Sequence, residues 1–367
     1  MSSDNLSLPA FRGTNVRVSL IHCGRTTVPT AYVVTKQITG HDILDIPCFS
    51  FLVENERIGK KVLFDLGLMK AWKEKQPPAI LGQIEFAKAA MDITQDVADQ
   101  LKANQLPLEL INAIIWSHHH IDHTGDPSLF PKTTALVVGP GFKSNKATYP
   151  GYPANPDAVV VQDAFEGREL VELDFSNAEL EIGGLKALDY FEDGSFYLLQ
   201  APGHTHDHIA GLARISDTKF VFLGGDTAHH VGEFRPTIHL PLPESITPSP
   251  FDGPFTNTAC LGSLFEYAHP QSSTEPQGDY RTMPFYELSP IMNVDLDQAL
   301  VSLERMKAFD AHQDVLVIVA HDSSLLDVLP LYPAHLTWGS GELKMRGRWR
   351  FLKDFEKAAN LSAATNI

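Results

Sequence analysis

Short runs of apolar and β-branched residues, bounded by Gly, Asn or Asp, occur at 17–23, 31–35, 48–53 and 61–64 and predict four strands joined by turns. Residues 78–106, rich in Ala, Gln, Lys and Glu with apolar positions at helical spacing, predict a helical stretch. The run 111–116 is continuously apolar, as in a strand buried on both faces, and passes directly into Ser117-His118-His119-His120-Ile121-Asp122-His123. Strand patterns return at 135–138, 158–161, 179–182, 185–188, 196–200, 209–215 and 219–223, with Gly183-Gly184 as a hairpin turn. An amphipathic helix is predicted over 295–311, a buried strand over 315–319 and a helical tail over 347–359. Strands followed by helices, twice over, predict an α/β sandwich with its polar residues clustered at strand ends.

Residues 228–290 break this pattern. Ten of the 25 prolines lie between 236 and 290, and no long apolar period survives. Long segments without regular structure are usually functional loops. The segment begins two residues after Asp226 and carries Phe234, Phe251, Phe255, Phe265, Tyr267, Phe285 and Tyr286. The expectation is one domain over 1–367 with 228–290 inserted as a lid whose rings wall a mostly apolar substrate pocket.

With 29 Lys+Arg against 45 Asp+Glu, the formal charge is −16, which argues against nucleic acid or an anionic membrane as partner. No apolar run reaches the ~18–20 residues of a membrane span, and the first residues lack a secretory pattern. Cys23, Cys48 and Cys260 are too few and too scattered for a disulfide framework. They are expected to be buried free thiols outside any site, in a cytoplasmic protein.

Nine of the 16 histidines fall in three clusters, 118–123, 204–208 and 229–230. A strand end running into a tight loop can aim His118 and His120 at one point, and Asp122 and His123 at a second point nearby. Imidazole with carboxylate suits Zn²⁺ best, with Fe or Mn as alternatives. His119 is expected to point away, Asp126 to cap a loop and His208 to orient one by a hydrogen bond. His22, His41, His239, His269, His312 and His335 are read as ordinary hydrogen-bonded side chains.

His118-x-His120-x-Asp122-His123 resembles the motif of the metallo-β-lactamase superfamily, and further elements follow in the family's order. They are Ala201-Pro202-Gly203-His204, Gly224-Gly225-Asp226, Ala320-His321 and the early turn Phe64-Asp65-Leu66-Gly67. The resemblance covers about 16–330 and implies an αββα sandwich. It assigns His118, His120 and His204 to one metal, Asp122, His123 and His321 to a second, and Asp226 to both. Asp65 is implied to orient a ligand imidazole. The set is most similar to the N-acyl-homoserine lactonase branch, and several stretches look like fungal lactonases and γ-lactamases. That branch carries Tyr three residues after the bridging Asp, where this chain has His229, a candidate general acid.

The resemblance implies two Zn²⁺ ions and a hydrolase that opens a cyclic ester or amide of a small, compact heterocycle. A hydroxide between the metals would attack, with Asp122, Asp226 and His229 as catalytic candidates. A small-molecule substrate and a homodimer fit this reading. The alternative is a thioesterase acting on acyl-glutathione or a carrier-bound acyl chain, with Lys344, Arg346, Arg348 and Arg350 as anchor for the anionic carrier. A metal-binding protein without turnover is the third reading.

Overall fold

The computed structural model describes residues 6–272, 278–337, 339 and 341–365. Residues 273–277, part of the expected lid, lie outside the described residues, as do the two ends of the expected domain. Two sheets face each other. The first orders its strands Ala90–Asp92, Arg17–Pro29, Ile43–Asn55, Lys60–Phe64, Ala113–Ile115, Ala135–Val138 and Leu170–Glu172. The second runs Val315–Ile318, Phe220–Leu223, Ile209–Arg214, Phe196–Gln200, Leu185–Asp189 and Glu181–Ile182.

Side-chain alternation explains the layers. In Phe220–Leu223, Val221 and Leu223 join the core between the sheets, where Phe49, Phe51 and Phe64 also lie. Phe220 and Phe222 turn outward and pack with Leu303, Met306 and Phe309 of helix Leu296–Ala311. Both faces are apolar because both are covered. On the other outer face, Leu52 and Leu63 pack with Val97 and Leu101 of helix Val97–Ala103. The result is the expected αββα sandwich.

Several expected elements are corrected. The stretch 78–106 is helix Pro78–Ala87, strand Ala90–Asp92 and helix Val97–Ala103. Lys88 ends the first helix in a left-handed conformation (φ 53°), and an Asp96/Asp99 capping box starts the second. Residues 31–35 form mostly one helical turn, Thr30–Val33, before the two-residue strand Val34–Thr35. The run 158–161 is not a strand; Val161 makes only an isolated bridge to Tyr152. Strand Leu170–Glu172 was not predicted.

The segment 228–290 has only short elements, among them helix Ser263–Ala268. Phe234, Phe265, Phe285 and Tyr286 are buried, in one core with Phe351 and Phe355 of the C-terminal segment. Phe255 and Tyr267 are exposed. No helix among the described residues is long and apolar enough to cross a membrane.

Candidate metal centre

Strand ends assemble the site at one end of the sandwich. Strand Ala113–Ile115 runs into His118, Phe220–Leu223 into Asp226 and Val315–Ile318 into His321. His204 follows Phe196–Gln200 in a turn where Gly203 has φ 132° and packs against helix Leu296–Ala311. A Cβ on Gly203 would lie 2.1 Å from the Ala299 nitrogen. His204 is further tied by its carbonyl, which accepts from Val294 N at 3.1 Å.

The candidate ligand atoms form two groups around one carboxylate. His204 Nε2 lies 3.1 Å from His118 Nε2 and 2.9 Å from His120 Nδ1. Asp226 Oδ2 faces this group, 3.3 Å from His204 and 3.7 Å from His118. Its Oδ1 faces the second group, 3.1 Å from His123 Nε2 and 3.2 Å from His321 Nε2. Asp122 Oδ2 is 3.4 Å from the same His321 nitrogen. Nitrogens sharing one tetrahedral zinc at ~2.0–2.1 Å stand roughly 3.3 Å apart, so these separations suit a cation at each centre. His123 Nε2 and Asp226 Oδ1 are buried with no hydrogen-bond partner among the described residues. Buried polar atoms are normally satisfied. A cation held between His123 and Asp226 would satisfy both atoms.

Hydrogen bonds behind the rings aim them inward. His123 Nδ1 pairs with Asp65 Oδ2 at 2.9 Å, while Asp65 Oδ1 accepts from Ser117 N at 2.6 Å. His321 Nδ1 lies 2.7 Å from the Pro47 carbonyl. His208 Nδ1 meets the Ala201 carbonyl at 2.8 Å, and its Nε2 accepts from Asp226 N at 2.9 Å, so it positions the carboxylate. Asp65 itself has φ 61°, and Gly67 leaves room where a Cβ would lie 2.2 Å from Cys23 Cβ.

The field of the site favours cations. Burial pushes the Asp226 carboxyl up, but the rings of His123, His321 and His229 more than offset this and hold it well below the usual range. Burial opposes charge on His123 and His321, yet Asp226 holds both pKa values well above normal. The field that retains protons there would equally retain a metal ion. Burial pushes His118 and His204 well below normal, and burial with His119 nearby takes His120 to about 3. These shifts favour the neutral imidazole, the form that can ligate a metal.

Other expectations can be placed. His119 Nδ1 turns away to Asp207 Oδ1 at 2.7 Å. Asp126 caps Pro127–Leu129 by accepting from Ser128 N. His229 Nε2 is 3.3 Å from Asp226 Oδ2, and its ring stacks on His321. Glu233 fixes it there by accepting from the backbone N–H of both His229 and His230. Cys48 corrects the expectation that no thiol approaches the site, because its Sγ converges with Asp122 and His321 within 4.8 Å. Cys260 is half-buried rather than buried. His208 orients its loop as expected. Cys48 carries no sequence signal of its approach, which depends on long-range packing, and the local role of Glu233 was missed.

A cavity of about 360 Å³ opens on His120, Asp122, His204, Asp226, His229 and His321. Its apolar wall comes from Val28, Ile46, Ile80, Ile84, Met91, Met292 and their neighbours. None of the described aromatic residues of 228–290 lines it, which corrects the expected aromatic lid wall. Phe234, Phe265, Phe285 and Tyr286 instead pack with the C-terminal segment, and Phe255 and Tyr267 are exposed.

Residues 44–311 match the family model described as metallo-beta-lactamase superfamily. The chain belongs to that superfamily and is a metal-dependent hydrolase with a divalent-metal centre. It is 38% identical over 338 residues to gamma-lactamase FDB1 of Fusarium pseudograminearum, covering 89% of this chain and 79% of that one. It is 46% identical over 231 residues to gamma-lactamase MBL2 of Gibberella moniliformis, 62% of this chain and 95% of that one. A crystal structure of a quorum-quenching N-acyl homoserine lactone hydrolase shares the fold, with a TM-score of 0.57 at 15% identity, over 88% of this chain and 99% of that one.

Proposed function

We propose that this protein is a di-zinc hydrolase that opens the ring of a small, uncharged lactam or lactone. His118, His120 and His204 would hold one ion and Asp122, His123 and His321 the other, with one Asp226 oxygen toward each. Two such ions would polarise a ring carbonyl and supply a water ionised near neutral pH. The protein's own residues do the rest. Asp226 fixes the spacing of the two groups. His229 lines the cavity beside Asp226, and neither of its ring nitrogens has a hydrogen-bond partner among the described residues, so it is placed to hydrogen-bond the reacting ring. The apolar wall excludes water and favours a compact ring.

The cavity lining carries the choice of substrate, because it includes no Lys or Arg. An acyl-glutathione or carrier thioester needs a cationic anchor. Three of the four cations expected to supply one are engaged elsewhere, and Arg348 does not line the cavity. Lys344 Nζ donates to the carbonyls of Asp310, His312 and Val315. Arg346 reaches Glu342 and the Pro254 carbonyl, and Arg350 reaches Asp327 and the Pro250 carbonyl. The gamma-lactamase relatives support the lactam reading. The test is parallel hydrolysis of a γ-lactam, a γ-lactone and an acyl-glutathione by the zinc-loaded protein. Turnover of a ring substrate well above the thioester is expected; preference for the thioester would overturn the reading.

A further inference from the structure

The loop after the insertion, 289–294, lines the cavity with Ile291, Met292, Asn293 and Val294. It is held to the metal-ligand loop, since Val294 N donates to the His204 carbonyl at 3.1 Å and Asp295 N to the Gly203 carbonyl at 3.0 Å. Ser289 braces its start, its hydroxyl donating to the Tyr32 carbonyl at 3.1 Å and accepting from Ile291 N at 3.2 Å. Within this loop Asn293 is buried, 7% exposed. Its Nδ2 donates to the Ser289 carbonyl at 2.8 Å. A carbonyl can only accept, so this bond fixes which end of the amide is which. The oxygen Oδ1 accepts no hydrogen bond among the described residues, and the residue lines the cavity.

The remaining uncharged polar residues of the lining are placed differently. Thr26 Oγ1 is in contact with Cys48 Sγ, Gln83 is exposed on helix Pro78–Ala87, and Tyr32 is half-buried. Asn293 thus offers a fixed hydrogen-bond acceptor in an apolar enclosure, one residue from the backbone bond to His204. An acceptor there discriminates by what it leaves unpaired. It pairs with a ring N–H, but faces lone pairs if the ring carries oxygen instead.

We infer that Asn293 is a specificity-determining residue whose Oδ1 accepts a hydrogen bond from the ring N–H of a secondary lactam, so that the cavity selects lactams over lactones of the same shape. This rests on the reading of the centre as a ring-opening site. It goes beyond that reading by naming the heteroatom and the residue that reads it.

The matched probes are oxindole, a fused γ-lactam with a ring N–H, and 2-coumaranone, its oxygen counterpart. Dissociation constants come from ligand-observed NMR on the zinc-loaded full chain, which reports binding whether or not the ring opens. Wild type should bind oxindole at least about tenfold tighter than 2-coumaranone, the size of one hydrogen bond to a buried acceptor. Asn293→Leu, which removes the acceptor at similar volume, and Asn293→Ala should each abolish the preference while retaining zinc content. Equal binding of the two probes by wild type overturns the inference with no variant needed. So does a preference that survives in either folded variant. An Asn293-dependent preference without ring opening of either probe would support the inference and instead count against ring hydrolysis.

Discussion

Asp226 and His119 stand close in space to the same rings, yet the structure gives them opposite work. Asp226 turns one oxygen to each ligand group, whereas His119 pairs with buried Asp207. Asp226→Asn is expected to cut turnover by at least ~10³-fold and to lower metal content, since a neutral amide cannot balance two cations. His119→Ala should keep its metals and lose about 1–3 kcal/mol of stability, because Asp207 is left without its partner. Metal analysis and thermal unfolding of both variants check this; matching losses of metal would refute the assignment. The residues that the structure gathers into this candidate centre were legible in the sequence because each sits in a short motif at a strand end. The groups that aim them were legible only in part. Asp65 has a motif, but the Pro47 carbonyl that orients His321 is backbone from a distant strand and leaves no mark on the side-chain pattern.

At the scale of elements, two contacts decide whether the site is held together. Arg235, in the insertion, meets Asp310 of helix Leu296–Ala311 through Nε at 2.8 Å and Nη2 at 2.5 Å, with both side chains buried. Burial pushes the Asp310 carboxyl up, but Arg235 more than offsets it and holds the pKa below normal. A carboxyl depressed on folding adds stability above its unfolded pKa of about 3.9 and loses it as pH falls through the folded value. Arg235→Met should therefore cost about 3–5 kcal/mol near neutral pH, by leaving the charge of Asp310 buried and unpaired. The gap to wild type should narrow as pH falls through the Asp310 pKa of the folded variant, which burial without Arg235 places above the unfolded value. Denaturant unfolding across pH 3–7 measures it, and a gap that does not vary with pH would contradict the pairing.

Gly203→Ala tests the second contact. A methyl there meets backbone of the same helix, so the His204 loop must shift. Loss of one metal with the other retained is expected by mass spectrometry, and full occupancy of both would show that the loop tolerates the change. The long insertion and the helix break near 88–96 were the parts least legible in the sequence. Aromatic content suggested a pocket wall, but rings bury wherever apolar surface waits, and here that surface is the C-terminal segment around Phe351 and Phe355. The cavity wall instead uses helix Pro78–Ala87, whose apolar residues at helical spacing carry no mark of a pocket.

Across the whole molecule, two sheets buried on both faces place their strand ends together, and that geometry brings residues from 118 to 321 into one centre. An α/β sandwich was legible because strand lengths and alternation are local properties, and its αββα layering was what the family resemblance implied. Which helix would border the cavity was not, since it depends on how the layers close. The net charge of −16 and the absence of Lys and Arg from the cavity lining agree in disfavouring an anionic substrate. The proposed ring opening depends on a centre of two metals. Its most direct test is to strip the protein with a chelator, add zinc in measured equivalents, and record hydrolysis of a γ-lactam and a γ-lactone at each step. Activity should be absent from the stripped protein and rise to a plateau at two zinc ions per chain. Turnover that persists without metal, a plateau at one ion, or no ring opening at any zinc level would contradict the account.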